Sequence, residues 1–266
     1  MWNKYSRSQD LVEIDITYTC NLRCYNCNRS CTQAPSNDSI TIEQIAKFIN
    51  ESIVKYIRWK TIRILGGEPT LHPKLLMMLK MLHEYRINML PESNIQLVTN
   101  GFGRKVNERL AKISDEIVIE NSQKTSRVNP TFFPFNIAPV DLDQFKDYDF
   151  SGGCWIAAGC GVGLTPYGYY PCAIAGGIDR IFGFDQGRKE LPDPDDKMVD
   201  LFSMFCRYCG HFLENQRRSH QEQPIYPTEY FKERGTNLGV NSEITSAAWS
   251  KAYACYRQKT PKLTRY

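Results

Sequence analysis

Between residues 11 and 19 the chain alternates apolar and polar side chains, with Val12, Ile14 and Ile16 set against Glu13, Asp15 and Thr17. A period of two predicts a β-strand, which ends at Cys20. A loop rich in Asn, Ser, Thr and Pro follows to about Ser39. Thr41 and Gln44 have capping-box spacing and open a helix whose apolar face is Ile42, Ile45, Ala46, Ile49 and Ile53. Residues 61–65 are a second strand that runs into Gly66-Gly67. Pro73 opens a second helix with Leu75, Met78, Leu79 and Leu82 on one face. Residues 95–98 form a third strand before Thr99-Asn100-Gly101, residues 106–113 a third helix, and residues 116–119 a fourth strand.

Alternating strands and helices predict an α/β fold with a parallel sheet or barrel. The pattern weakens after Asn121, where residues 135–140 are a candidate for one more strand. The remaining length cannot hold the four further units of a closed eightfold barrel. The expectation is therefore a truncated, partial (β/α) TIM-type barrel over residues 1–150. From residue 151 glycine, tyrosine and cysteine dominate, and residues 164–170 read as a β-hairpin with a Pro/Gly turn. A small hairpin-and-helix domain is expected over 151–212. A C-terminal extension over 213–266 follows, with an irregular polar connection, a helix at 244–258 and a basic tail.

Composition adds limits. The 266 residues are 42% hydrophobic and 23% charged, ordinary globular values that allow a core. A net charge of +4 gives no argument for nucleic acid or an anionic membrane. No apolar run approaches the ~18 residues of a membrane span. The first residues show no apolar segment after Lys4 and Arg7, so no secretory signal is read and a cytoplasmic location is expected.

Ten cysteines change the picture. Without a secretory signal they point to metal or redox chemistry rather than disulfides. They also cluster: Cys20, Cys24, Cys27 and Cys31 form one group, and Cys154, Cys160, Cys172, Cys206 and Cys209 another, with Cys255 alone. Cys20, Cys24 and Cys27 have C-x3-C-x2-C spacing directly after the first strand. Three thiolates on one tight loop can grip a soft metal centre and leave it an open position. With Cys31 as a fourth donor, the same loop could close a zinc site. Gly66-Gly67-Glu68-Pro69 follows the second strand, where glycines admit a ligand close to the backbone and Glu68 offers a carboxylate. Asn100 follows the third. Parallel strands bring their C-terminal ends to one face, so these three loops should converge.

In motif order and spacing, residues 10–120 resemble the radical S-adenosylmethionine (radical SAM) enzymes. The resemblance implies that Cys20, Cys24 and Cys27 ligate a [4Fe-4S] cluster whose open iron takes S-adenosylmethionine (SAM). It also implies that Gly66, Gly67 and Glu68 hold the methionine amino group and that Asn100 reaches the ribose. The family's aromatic residue before the third cysteine is here Asn26, with Tyr25 one place earlier; Tyr25 is what this loop offers the cofactor. The second cysteine group is similar to the family's twitch and SPASM modules. That similarity implies an auxiliary [4Fe-4S] cluster on Cys172, Cys206 and Cys209, with either Cys154 or Cys160 as the remaining ligand. A short core with one auxiliary cluster resembles the small twitch-type dehydrogenases of the family, the 2-deoxy-scyllo-inosamine dehydrogenase type.

The implied activity is reductive cleavage of SAM to a 5′-deoxyadenosyl radical that abstracts hydrogen, in an oxidoreductase acting on a small polar molecule. A flavodoxin or ferredoxin-type protein would supply the electron. The competing readings are a radical SAM maturase acting on a peptide, and a non-catalytic zinc or iron–sulfur binding protein. Glu120 and Arg127, after the fourth strand, are the candidate catalytic residues. Asp179, Arg180, Asp185 and Arg188, after the hairpin, read as a solvated loop able to line the site.

Overall fold

The structure, a computed structural model, describes residues 5–129, 134–213 and 243–266. Its frame is a six-stranded sheet in the order β4-β3-β2-β1-β5-β6. The strands are β1 (Leu11–Thr17), β2 (Thr61–Gly66), β3 (Asn94–Thr99), β4 (Val118–Asn121), β5 (Val162–Thr165) and β6 (Gly168–Tyr170). The helices are α1 (Ile42–Val54), α2 (Leu75–Met89), α3 (Arg104–Leu110), α4 (Trp155–Gly159), α5 (Ala173–Phe182), α6 (Val199–Phe205) and α7 (Ala247–Gln258). Strands β1 to β5 pair in parallel, and β6 returns antiparallel to β5. This is the expected mixed α/β, partial-barrel architecture.

Local chemistry explains the helices that cover the sheet. Thr41 Oγ1 accepts from the Gln44 N–H at 3.2 Å, and Gln44 Oε1 accepts from the Thr41 N–H at 2.9 Å. This reciprocal box satisfies donors that the first turn of α1 would leave unpaired. Ile45 and Phe48 of α1 join Leu75, Met78, Leu79 and Leu82 of α2 and the sheet residues Val12, Ile14, Ile62 and Ile64 in one buried core.

The structure departs from expectation in three places. The hairpin β5–β6 does not start a separate sheet: Val12, Glu13 and Ile14 of β1 pair with Val162, Gly163 and Leu164 of β5. The predicted division at residue 150 therefore falls between neighbouring strands of one sheet. β1 becomes a central strand, so its polar face is covered as well as its apolar one. Glu13 is 4% exposed, Asp15 0% and Thr17 1%. Second, residues 135–140 are not a strand. Phe135, Ile137 and Ala138 are buried, but the segment runs irregularly into a 3-10 turn at Pro139–Asp141. Pro139 cannot donate to a ladder and its fixed φ suits the first position of that turn. Third, Asp179 and Arg180 belong to α5 and are buried, not on a solvated loop. The predicted irregular connection at 213–241 lies, from residue 214 on, outside the described residues.

Candidate functional site

The Cys20–Cys31 loop leaves the C-terminal end of β1 and is pinned from several directions. The Arg23 N–H donates to the Arg127 carbonyl at 2.7 Å, and the Tyr25 N–H to the Asn129 carbonyl at 3.1 Å. Asn26 has φ +47° and is fully buried. Its N–H donates to Glu243 Oε2 at 2.7 Å, and its Oδ1 accepts from the Ile244 N–H at 3.0 Å. Asparagine tolerates the left-handed region far better than an aromatic side chain does, which accounts for Asn26 at this position. Cys20, Cys24 and Cys27 all line one cavity of ≈ 300 Å³. Burial pushes the Cys20 thiol up to about 12 and raises Cys24 as well. The Cys31 thiol donates to the Cys27 sulfur, which lowers Cys27 and raises Cys31. Cys20 and Cys24, desolvated, stay protonated until a cation replaces the proton, and Cys27 is the thiol held ready to ligate first, which suits a metal centre.

The second loop is set against the first by close backbone approach. The Gly67 N–H donates to the Thr17 carbonyl at 2.7 Å, and the Glu68 N–H to the Thr19 carbonyl at 2.8 Å. Gly66 has φ +127°, and a Cβ there would overlap the Thr17 carbonyl oxygen. At Gly67 a Cβ would overlap the Thr19 carbonyl oxygen. Both glycines line the cavity.

Glu68 does not. It is 0% exposed. Its Oε1 accepts from the Thr70 N–H at 3.1 Å, Thr70 Oγ1 at 2.7 Å and Thr99 Oγ1 at 2.9 Å, and its Oε2 from the Asn100 N–H at 2.8 Å. The carboxylate ties the end of β2 to the end of β3. Asn100 does line the cavity, with Nδ2 donating to Asn21 Oδ1 at 2.8 Å.

Three other predicted residues lie elsewhere. Tyr25 is half-buried but does not line the cavity. Arg127 is exposed, and it is its backbone carbonyl that holds the cysteine loop. Glu120 is drawn into an ion pair with Arg63 at 2.9 Å and lies outside the cavity. β4 is the edge strand and all four of its residues are exposed, so what it carries falls on the rim.

The polar wall of the cavity comes from residues with no motif. Glu13 of β1 and Arg63 of β2 are register partners and form an ion pair at 2.6 Å. Arg29, also on the wall, pairs with Glu13 at 2.9 Å and with Asp15 at 3.1 Å. Burial pushes Asp15 up to about 6 in spite of Arg29. Ser122 and Lys124 complete the wall, and the Lys124 N–H donates to the Asn100 carbonyl at 2.8 Å. One signal could have found this wall: charged residues alternating within a strand flanked by parallel strands face a covered interior.

The second cysteine group divides. Cys154, Cys172, Cys206 and Cys209 line one small cavity with Ile174, Phe202, Phe205 and His211. Cys160 lines the first cavity instead, near Glu13, Arg29 and Arg63. Burial pushes Cys154, Cys172 and Cys209 up to about 12, and raises Cys206. Among the described residues, no three His, Cys, Asp or Glu side chains converge on a single ion position. Ile174 lines both cavities.

With this geometry in place, residues 14–120 match the model of the Radical SAM superfamily. That match runs from within β1 to within β4 and covers less than half of the chain. Among individual proteins, the chain is similar to GTP 3′,8-cyclase of Nautilia profundicola, 29% identical over 137 residues, 46% of this chain and 41% of the relative. It is also similar to GTP 3′,8-cyclase of Aliarcobacter butzleri, 32% identical over 100 residues, 37% of this chain and 29% of the relative. The chain spans less than half the length of these curated relatives. Among solved structures, BtrN in complex with AdoMet and 2-DOIA aligns at TM-score 0.41 and 13% identity, over 82% of this chain and 91% of that one. Streptococcus suis SuiB bound to precursor peptide SuiA aligns at TM-score 0.32 and 20% identity, over 44% of this chain and 24% of that one. No helix among the described residues is long and apolar enough to cross a membrane.

Proposed function

We propose that the protein is a radical SAM enzyme that oxidises a small polar substrate and carries a second, auxiliary [4Fe-4S] cluster. One observation carries the reading: Cys20, Cys24, Cys27, Gly66, Gly67 and Asn100, from three separate strand ends, line a single cavity. The donor set fits the group: Cys20, Cys24 and Cys27 line the cavity, Cys31 beside them is engaged with Cys27, and three donors leave a fourth position for a further ligand. When bound, the cluster supplies the electron that cleaves SAM to a 5′-deoxyadenosyl radical able to abstract hydrogen.

The chain's own residues bind and orient. Gly66 and Gly67 would present bare backbone to the methionine end of SAM, while the Glu68 carboxylate ties their loop to the end of β3 through Thr99 and Asn100. Asn100 offers its amide to the cofactor while Asn21 fixes its orientation. Glu13, Arg29, Arg63, Ser122 and Lys124 give the substrate charged and hydroxyl partners, and the flanking apolar core limits water. Four thiols around one small cavity support an auxiliary cluster on Cys154, Cys172, Cys206 and Cys209. Cys160 is then left to the substrate side. A flavodoxin or ferredoxin-type donor would reduce the first cluster.

A peptide substrate is the second reading, favoured by one feature. The outer edge of β4 pairs with no strand among the described residues, and all of β4 is exposed, so an extended peptide could add there. Anaerobic reconstitution tests the whole: about eight irons per chain are expected from two four-iron centres, with 5′-deoxyadenosine released on adding dithionite and SAM. A reconstituted protein that releases none is not a radical SAM enzyme. Turnover of a peptide but not of polyols or sugars would select the second reading.

A further inference from the structure

Arg180 lies on α5, the helix that Cys172 opens, and it is 2% exposed. Its Nη1 donates to the Ala34 carbonyl at 2.8 Å and to Tyr256 Oη at 2.8 Å, and its Nη2 to the Arg29 carbonyl at 3.0 Å. The guanidinium lies over the Tyr18 ring, 4.3 Å from its centroid, and 5.3 Å from that of Tyr256. Every one of these partners is uncharged. Nε has no hydrogen-bond partner among the described residues. Two carboxylates act on the guanidinium electrostatically: Asp15, with both oxygens engaged by Arg29 Nε at 3.2 and 3.1 Å, and Asp38, which accepts from Tyr167 Oη at 2.6 Å and pairs with Arg265 at 3.8 Å. A buried cation whose direct partners are all dipoles, and whose neighbouring carboxylates are engaged by other arginines, is costly, so a further negative charge nearby would complete the arrangement.

The partners say where that charge is. Tyr18 immediately precedes the thiol loop, Arg29 follows Cys27, and Ala34 follows Cys31. Tyr18 shares a buried cluster with Cys31, against which Cys20 and Cys27 pack. Arg180 therefore grips both flanks of the loop while staying out of the cavity that the thiols line. Three thiolates on a [4Fe-4S]2+ core leave a net negative centre, and one further electron makes it more so.

Resting on the iron–sulfur reading above, we infer that Arg180 is the buried counter-charge of the Cys20–Cys24–Cys27 centre. It is a positioning residue that favours the reduced state and locks the loop's flanks together. A fixed cation close to a redox centre stabilises the form with one more electron, so removing it disfavours reduction.

The test uses the full chain, reconstituted anaerobically, with iron counted. The midpoint potential is then titrated on the EPR signal that changes when SAM is added. Arg180→Met is expected to shift the one-electron equilibrium at least tenfold toward the oxidised form, a midpoint lower by about 59 mV or more. Arg180→Lys, which keeps the charge, should stay close to the wild type. Tyr256→Glu sets a carboxylate against the guanidinium from α7, away from the thiols, and should lower the midpoint as Arg180→Met does. Full iron with an unchanged midpoint in Arg180→Met overturns the inference. If Arg180→Met loses iron, an unchanged midpoint in Tyr256→Glu overturns it. If both lose iron, retention by Arg180→Lys supports a charge role and loss by Arg180→Lys refutes it. A wild type with no SAM-responsive signal removes the iron–sulfur reading itself, and this inference with it.

Discussion

Replacing Glu68 by Gln separates a carboxylate that builds the site from one that touches the cofactor. The side chain keeps its shape but loses its charge, and one acceptor becomes an amide donor. If the amide takes the Oε2 position it meets the Asn100 N–H, now 2.8 Å from an oxygen, donor against donor. Turned the other way it sets an NH2 against the Thr70 N–H and displaces the acceptor for two threonine hydroxyls, which is worse. A hydrogen bond to a charged group contributes about 1.5–3 kcal/mol and a neutral one about 0.5–1.5 kcal/mol. Losing the Asn100 bond and weakening the three at Oε1 should cost roughly 3–5 kcal/mol in all. The assay is urea unfolding of the metal-free protein at neutral pH, followed by the fluorescence of its four tryptophans. The expected result is a midpoint well below wild type before any cofactor is added. A stability change below about 0.5 kcal/mol, the size of an ordinary surface substitution, together with a raised KM for SAM, would refute the reasoning and return Glu68 to direct contact.

Gly67→Ala should unfold roughly 2–4 kcal/mol more easily, from overpacking against Thr19 and loss of one or both backbone bonds to Thr17 and Thr19; wild-type unfolding would show that the two loops are not in contact. Cys154→Ser should bring reconstituted iron from about eight to about four per chain while Cys160→Ser leaves it unchanged, and the reverse pattern exchanges the two assignments. Burial raises Asp15 above its value in the unfolded chain, to about 6. Its contribution to stability is therefore fully present below about pH 4 and is lost as pH rises through about 6. Urea midpoints of wild type and Asp15→Asn, compared from pH 4 to pH 7, should diverge with that sign, and parallel curves would contradict it.

Much of the frame was legible because its signals are local. The capping box at Thr41 and Gln44, the period-two runs of β1 to β3 and the C-x3-C-x2-C spacing each need only a few neighbouring residues to be read. What escaped depends on partners distant in sequence. The polar face of β1 becomes an interior wall only because β5 closes its second edge, which the alternation of β1 alone does not reveal. The motif implies that Glu68 is a cofactor ligand, and it cannot show the donors Thr99 and Asn100, which come from the end of another strand. Arg180 looked solvated because nothing near it in sequence shows that Tyr18, Arg29, Ala34 and Tyr256 surround it. Cys154 and Cys160 could not be told apart by spacing, yet they line different cavities.

The contact between Asn26 and Glu243 has a consequence for the order in which the protein is made. The Glu243 carboxylate accepts from the Asn26 N–H, from Gln33 Nε2 and from Asn136 Nδ2, each at 2.7 Å. The thiol loop leaves the ribosome well ahead of one of its fastenings, which is synthesised more than 200 residues later, at a sequence separation of 217. Chains emerge at roughly 5–20 residues per second, so the loop waits on the order of ten seconds or more for that fastening. During this interval the loop lacks the Glu243 hydrogen bonds to Asn26 and Gln33. Cluster delivery before release from the ribosome would meet a half-built cradle, and delivery afterwards would meet a complete one.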